Sequence, residues 1–170
     1  MRSPLLLVDE LVLDPPSPED AEAWCACQDD ECAHWFDWPH RPDVARCRAH
    51  LTRVSLDDSP TSYVWAIRDA TGLVGGIDLK VVDQRWNVSY FVHPDHRDRH
   101  VATRSLLAVC RWAFEELRIP AVTTRVHVDN AASQRVLENA GFESTGVEPN
   151  PDADDLDLLF RLDRPDDGAT

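Results

Sequence analysis

Lysine is almost missing from this chain. Lys80 is the only one among 17 basic residues, which face 31 acidic ones, and the formal net charge is −14 over 170 residues. A chain this acidic is poorly suited to gripping the phosphates of nucleic acids or to settling on anionic membranes. A cationic or amine-bearing substrate fits the charge, and so does simple solubility. Long apolar runs are missing as well. The N-terminal candidate, Leu5 to Val8, runs straight into Asp9-Glu10 and is far too short to span a bilayer. These two absences lead us to expect a cytoplasmic protein with no nucleic-acid or membrane partner.

A disulfide framework is also lacking. The five cysteines are odd in number and irregularly spaced, which suits reduced thiols. Four of them, Cys25, Cys27, Cys32 and Cys47, lie near His34 and His50. A zinc knot is one reading, but the first pair lacks the two-to-four-residue gap common in zinc sites. The other reading makes them small apolar residues on helix faces beside Trp24, Trp35 and Phe36, and with it no metal is expected.

What is present is enough for one folded domain. Apolar residues make up 43% of the chain, an ordinary share for a globular protein. A single domain over 1–163 is expected, with 164–170 as an acidic, frayed tail. Residues 5–13 read as a strand with a charged break. Ser17-Pro18-Glu19-Asp20 is a helix start, with a cap, a proline in the first helical position and acids in the first turn. A helix over 21–29 should follow, then a loop around Trp38 to Pro42 and a helix over 43–56. In the middle of the chain the period changes to two. Strands over 62–68, 73–82 and 86–92, separated by short turns, predict an antiparallel meander.

The C-terminal half returns to helical spacing. Ala102, Leu106, Val109, Cys110, Ala113, Phe114 and Leu117 form one stripe. After Pro120 comes a strand over 121–128, then a short helix over 131–139, with Gly141 where a left-handed cap belongs. A last strand covers 155–162. A strand-helix-strand unit inside an antiparallel meander implies an α/β (α+β) domain. Its sheet should be mixed but mostly antiparallel, with six to seven strands and helices on both faces.

One stretch raises a chemical question. His96-Arg97-Asp98-Arg99-His100-Val101-Ala102-Thr103 lies between a strand and a helix, where backbone N–H groups can cradle a phosphate. Such turns usually carry glycine, because the backbone must come close to the ligand, and this one has none. Its flanks nevertheless have a family look. S-Y-F-V-H-P-D-H-R-D-R-H-V-A-T at 89–103, the helix and strand after it, and V-D-N-A-A-S-Q-R-V-L-E-N-A-G-F at 128–142 together resemble the GNAT acetyltransferase superfamily, specifically its RimJ/RimL-type branch. The opening L-V-L-D-P-P-S-P-E-D is similar to the first strand and helix of that branch. The likeness covers most of the chain and is weakest over 25–60 and 143–155.

The resemblance implies an acetyl-CoA-dependent N-acetyltransferase, a monomer or homodimer, acting by direct transfer on a primary amine of a protein N-terminus or a small molecule such as an antibiotic. The family's pyrophosphate turn would fall on Arg97, Asp98, Arg99, His100, Val101, Ala102 and Thr103. Arg97 and Ala102 match it, while His100 and Asp98 replace glycines. Those side chains are tolerated if they face away and need no positive φ. The pantetheine arm would lie along the backbone of Phe91 and Val92 and bond to Asn130, which otherwise reads as a plain helix N-cap. Ser133, in the first turn of its helix, would return a proton to the leaving thiolate, or else merely bond its own helix start. Glu148 is the expected base, with Asp78 and Tyr90 as rivals. Asp152, Asp154 and Asp155 form an acidic loop that can attract a cation or simply be solvated. The alternative function is a non-catalytic GNAT-fold module that binds acyl-CoA or regulates.

Overall fold

The computed structural model describes residues 3–151 and 153–165. Asp152 of the acidic loop and residues 166–170 of the expected tail lie outside them.

The chain begins with a hairpin, β1 (Leu6–Val8) and β2 (Leu11–Asp14), because Asp9 takes a left-handed backbone (φ 51°) and turns the expected first strand back on itself. Helices α1 (Ala21–Ala26), α2 (Asp30–Trp35) and α3 (Val44–Ser55) follow. The single helix expected over 21–29 is thus shorter than expected. Asp29 starts a new one by accepting a hydrogen bond from the Cys32 N–H at 2.9 Å, a side-chain N-cap. The meander is as expected: β3 (Ser62–Asp69), β4 (Gly72–Val82) and β5 (Arg85–Val92), paired antiparallel throughout. Then come α4 (Val101–Glu115), β6 (Ala121–His127), α5 (Ala131–Asn139), β7 (Glu143–Pro149) and β8 (Leu156–Asp163). Gly141 takes the predicted left-handed backbone after α5, at φ 84°.

The strands form one sheet of eight, in the order β1-β2-β3-β4-β5-β6-β8-β7. It is mixed and mostly antiparallel, with β5 and β6 as the parallel pair. The count exceeds six to seven because the first strand is a hairpin and because β7 gives almost no signal in the sequence. β7 lies at the sheet's edge, and apart from Gly146 all its residues are exposed.

Both faces are covered. One carries the larger core, where Leu106, Val109 and Phe114 of α4 meet Leu79, Val88 and Phe160 of the sheet. The other carries a smaller cluster of Trp24, Cys25, Cys47, Leu51 and Ala66 beneath α1 and α3. Alternation along β3 explains this division, since Trp65 and Ile67 serve the first face and Ala66 the second. All five cysteines are free and buried, and burial pushes the thiols of Cys27, Cys32, Cys47 and Cys110 up to about 12. Among the described residues no three His, Cys, Asp or Glu side chains gather to hold a metal ion. None of their helices is long and apolar enough to cross a membrane.

Candidate active site

The parallel pair is barely a pair. β5 and β6 meet only at Asn87 and Thr123, where the Thr123 hydroxyl also donates to the Trp86 carbonyl at 3.0 Å. Beyond that point the strands diverge toward their C-terminal ends. The gap opens into a cleft of about 930 Å³, the size of a pocket for a large ligand. Val92, Asn130, Ser133 and most of the 97–103 turn line it.

The turn is the clearest feature. Among the described residues, no backbone N–H from Asp98 to Thr103 makes a short, well-aligned hydrogen bond to a protein acceptor; the next to make one is that of Arg104, which donates to the His100 carbonyl at 3.0 Å. The run ends at the start of α4, where the helix dipole adds positive potential. Successive free donors at a cleft wall suit an anion, as a nest of backbone N–H groups does; of the six residues, all but Arg99 line the cleft. Close by, His96 Nδ1 is buried with no partner. Its Nε2 lies 3.3 Å from the Thr71 hydroxyl and 3.4 Å from Asp69.

One expectation for this turn is corrected. Asp98 and His100 do need positive φ: they sit at 58° and 57°, in the left-handed region. The chain keeps the shape that glycine would allow and bears its strain, which Asp and His tolerate better than most residues. The Arg97 guanidinium also points elsewhere than into the nest. It donates to Asp29 at 2.8 Å and Glu31 at 2.6 Å, and its Nε to the Val92 carbonyl at 3.3 Å. Arg97 therefore ties the turn to the start of α2, and burial and those carboxylates act on its basicity in opposite directions, with a net rise.

Across the cleft, the Asn130 side chain accepts from the Ser133 N–H at 3.0 Å and so caps α5. The Ser133 hydroxyl is 2.8 Å from the hydroxyl of Tyr90, which reaches over from β5. Burial pushes the Tyr90 phenol up to about 12, so the pair is neutral near pH 7. Phe91 points to the opposite face of β5 and packs edge-on against Trp24, ring centres 4.9 Å apart. Asp78, the other rival base, accepts from Ser89 at 2.8 Å and pairs with Lys80 at 3.1 Å. Glu148 is not among the lining residues. It holds Arg125 at 2.7 Å on the exposed side of β7.

Several lining residues went unnoticed as site residues in the sequence: Trp38, Asp37, His127 and Asp157. The signal for Asp157 was there. It is a charge inside the alternating strand Leu156-Asp157-Leu158-Leu159-Phe160, and it is buried.

Comparison with known proteins agrees with this geometry. The family model described as an acetyltransferase (GNAT) domain matches residues 10–143. The chain belongs to the GNAT acetyltransferase family. Among curated relatives, an uncharacterized N-acetyltransferase of Bacillus subtilis, YoaA, is 28% identical over 151 residues, covering 85% of each chain. Among solved structures, Mycobacterium smegmatis RimJ, determined with a coenzyme A disulfide, superposes with a TM-score of 0.78 at 18% identity over 98% of this chain and 89% of that one. RimL, a ribosomal L7/L12 α-N-protein acetyltransferase determined with coenzyme A, gives 0.83 at 14% identity over 94% and 98%. At such identities the two structures speak for the fold alone.

Proposed function

We propose that this GNAT protein transfers an acetyl group from acetyl-CoA to a primary amine. The carrying observation is the run of unpaired backbone N–H groups from Asp98 to Thr103 at the start of α4. Such a nest fits a diphosphate without a lysine, and Lys80 is the only lysine in the chain. Bound acetyl-CoA supplies the thioester. The residues of the chain do the rest: the nest holds the pyrophosphate, and the edge of β5 that faces away from β4, around Phe91 and Val92, holds the pantetheine arm as an added strand would, beside the Val92 carbonyl that already accepts from Arg97. Asn130 caps α5, so Ser133 keeps its place at the cleft wall.

Ser133 donates the proton that the leaving sulfur needs, and the Tyr90 hydroxyl orients it. A backbone N–H on the open edge of β5 offers the acetyl oxygen a hydrogen bond. The amine must be neutral to react. Glu148, the proposed proton acceptor, would first have to leave its ion pair with Arg125. The rival reading is a coenzyme-binding module without turnover. One observation favours it: Arg97 is committed to Asp29 and Glu31 and leaves Asp98 at the cleft wall.

Thermal unfolding with acetyl-CoA tests the coenzyme site. At about a hundred times the dissociation constant, stabilisation of about 2.7 kcal/mol is expected, a midpoint rise on the order of 5–10 °C. No rise would remove the coenzyme reading. A rise without thiol release on an amine panel would leave the binding module.

A further inference from the structure

One part of the cleft wall lies apart from the 97–103 turn in the sequence and on other elements. It lies where the C-terminal end of α2 and the residues after it meet the ends of β6 and β8. Sheet register puts Asp157 of β8 between His127 of β6 and Glu148 of β7. Asp157 thus faces away from Leu158, Phe160 and Leu162, which serve the larger core. It is only 6% exposed, and it lines the cleft. Its Oδ1 accepts from the Asn150 amide at 3.3 Å, and the same amide donates to Asp37 at 2.9 Å. Among the described residues Oδ2 accepts no hydrogen bond.

A carboxylate this deep is costly without a counter-charge. The neighbouring cations are engaged elsewhere. Arg125 is paired with Glu148 at 2.7 Å, and His127 with Asp155 at 2.7 Å. Asp37 adds a further negative charge. Burial, helped by Asp37, holds the Asp157 carboxyl above the usual carboxylate range, against the opposing pull of the Arg125 and His127 charges.

Aromatic rings line the same region. Trp35, Phe36 and Trp38 all border the cleft. Phe36 and Trp38 stack with centres 5.0 Å apart, and Trp35 lies 5.5 Å from the His127 ring. Rings bordering the same cleft as a buried carboxylate match the chemistry of an organic cation, which gains from the quadrupoles as well as from the charge.

We propose that Asp157 and the rings of Trp35, Phe36 and Trp38 form a subsite for an organic ammonium, and that this subsite selects an acceptor by its cationic group and adjoining apolar body. Its place in the reaction rests on the acetyltransferase reading, while its binding chemistry does not. Asp157 is a specificity residue here: neutralising it removes the counter-charge and leaves the rings, so a neutral ligand of the same shape should bind nearly as before.

Binding of phenethylamine and of its neutral counterpart 2-phenylethanol to the full chain at pH 7, followed by NMR, is the test. The intact protein should bind the ammonium at least about tenfold more tightly than the alcohol. Asp157→Asn should bring the two within about twofold, and Trp38→Leu should weaken the ammonium more than the alcohol. Equal binding of the two by the intact protein, no binding of the ammonium, or a preference that survives in Asp157→Asn would overturn the subsite. If Asp157→Asn does not fold, the intact protein and Trp38→Leu still decide, since equal losses for both ligands in Trp38→Leu count against it. The acetyl-CoA midpoint rise is read on the same samples. Loss of that rise with the ammonium preference intact sinks the acetyltransferase reading alone, and the converse sinks the subsite alone.

Discussion

The hydroxyls of Tyr90 and Ser133 lie 2.8 Å apart, joining β5 to the first turn of α5 across the cleft. Either can donate to the other, so the pair can pass a proton to a group placed beside Ser133 and take one back. Ser133→Ala should lower kcat by one to two orders of magnitude, in line with a single general-acid contribution of roughly a hundredfold or more. Its acetyl-CoA midpoint rise should change little. Tyr90→Phe should have a smaller effect on kcat, because the serine keeps its own proton. Steady-state kinetics with a thiol-release assay separates these, and unchanged turnover in Ser133→Ala removes the proton-donor role.

Left-handed backbone at Asp98 and His100 predicts that glycine stabilises the free protein. Each non-glycine residue there carries strain of about 1 kcal/mol. Glycine's extra freedom in the unfolded chain takes part of that back. Asp98→Gly with His100→Gly should raise the thermal midpoint by about 2–4 °C and change coenzyme affinity by only a few-fold, because the nest already has its shape. A gain in affinity of a hundredfold or more would instead mean that the native turn is closed to the ligand.

Arg97 offers a way to separate charge from scaffold. Its guanidinium is tied to Asp29 and Glu31, so on the proposed coenzyme site the backbone N–H groups should carry most of the binding. Arg97→Gln should weaken coenzyme A by only about two- to fourfold. Arg97→Glu puts a carboxylate beside two others and next to the nest, and should weaken it by more than tenfold, a change above 1.4 kcal/mol. Calorimetric titration of both variants checks this. Equal, large losses would place the guanidinium itself on the ligand.

Packing around Phe91 predicts a steric effect at Gly76. A Cβ there would come within 2.6 Å of both the Phe91 ring and the Trp24 ring. The rings would have to part, disturbing the edge-on pair that closes this side of the cleft. Gly76→Ala should destabilise by about 1–3 kcal/mol, read as a lower midpoint in thermal unfolding.

Alkaline pH should loosen the fold. Burial holds the Tyr90 phenol and the thiols of Cys27, Cys32, Cys47 and Cys110 at about 12 in the folded state. In the unfolded chain such groups lose their protons near 8.5 for cysteine and 10 for tyrosine. The folded state therefore binds more protons between those values and about 12. Stability should be full below about pH 8 and fall steadily as pH rises through that window. Denaturant unfolding from pH 7 to 11 gives the slope. A flat profile would mean that these side chains are not buried as described.

Local chemistry already determined much of this in the sequence. The stripe from Ala102 to Phe114 and the alternation over 62–92 follow from the period of side chains along a helix or strand, which neighbours in the chain can specify, and the glycine after α5 from the left-handed backbone that ends a helix. Family likeness over 89–103 and 128–142 placed the nest, Asn130 and Ser133 on one cleft. The edge strand β7, by contrast, has no apolar face to announce it, and it exists because β8 offers it hydrogen bonds. The split between α1 and α2 depends on a cap at Asp29 that also binds Arg97, a partner 68 residues away.

Tertiary structure alone decided the rest. It tied Arg97 to α2, turned Asp98 and His100 left-handed, set Tyr90 against Ser133, and paired Glu148 with Arg125. It also brought Trp35, Phe36, Trp38 and Asp157 from α2, the loop after it and β8 to one cleft. Side-chain direction and burial depend on which strands become neighbours, and that order, with β8 inserted between β6 and β7, is a property of the whole sheet.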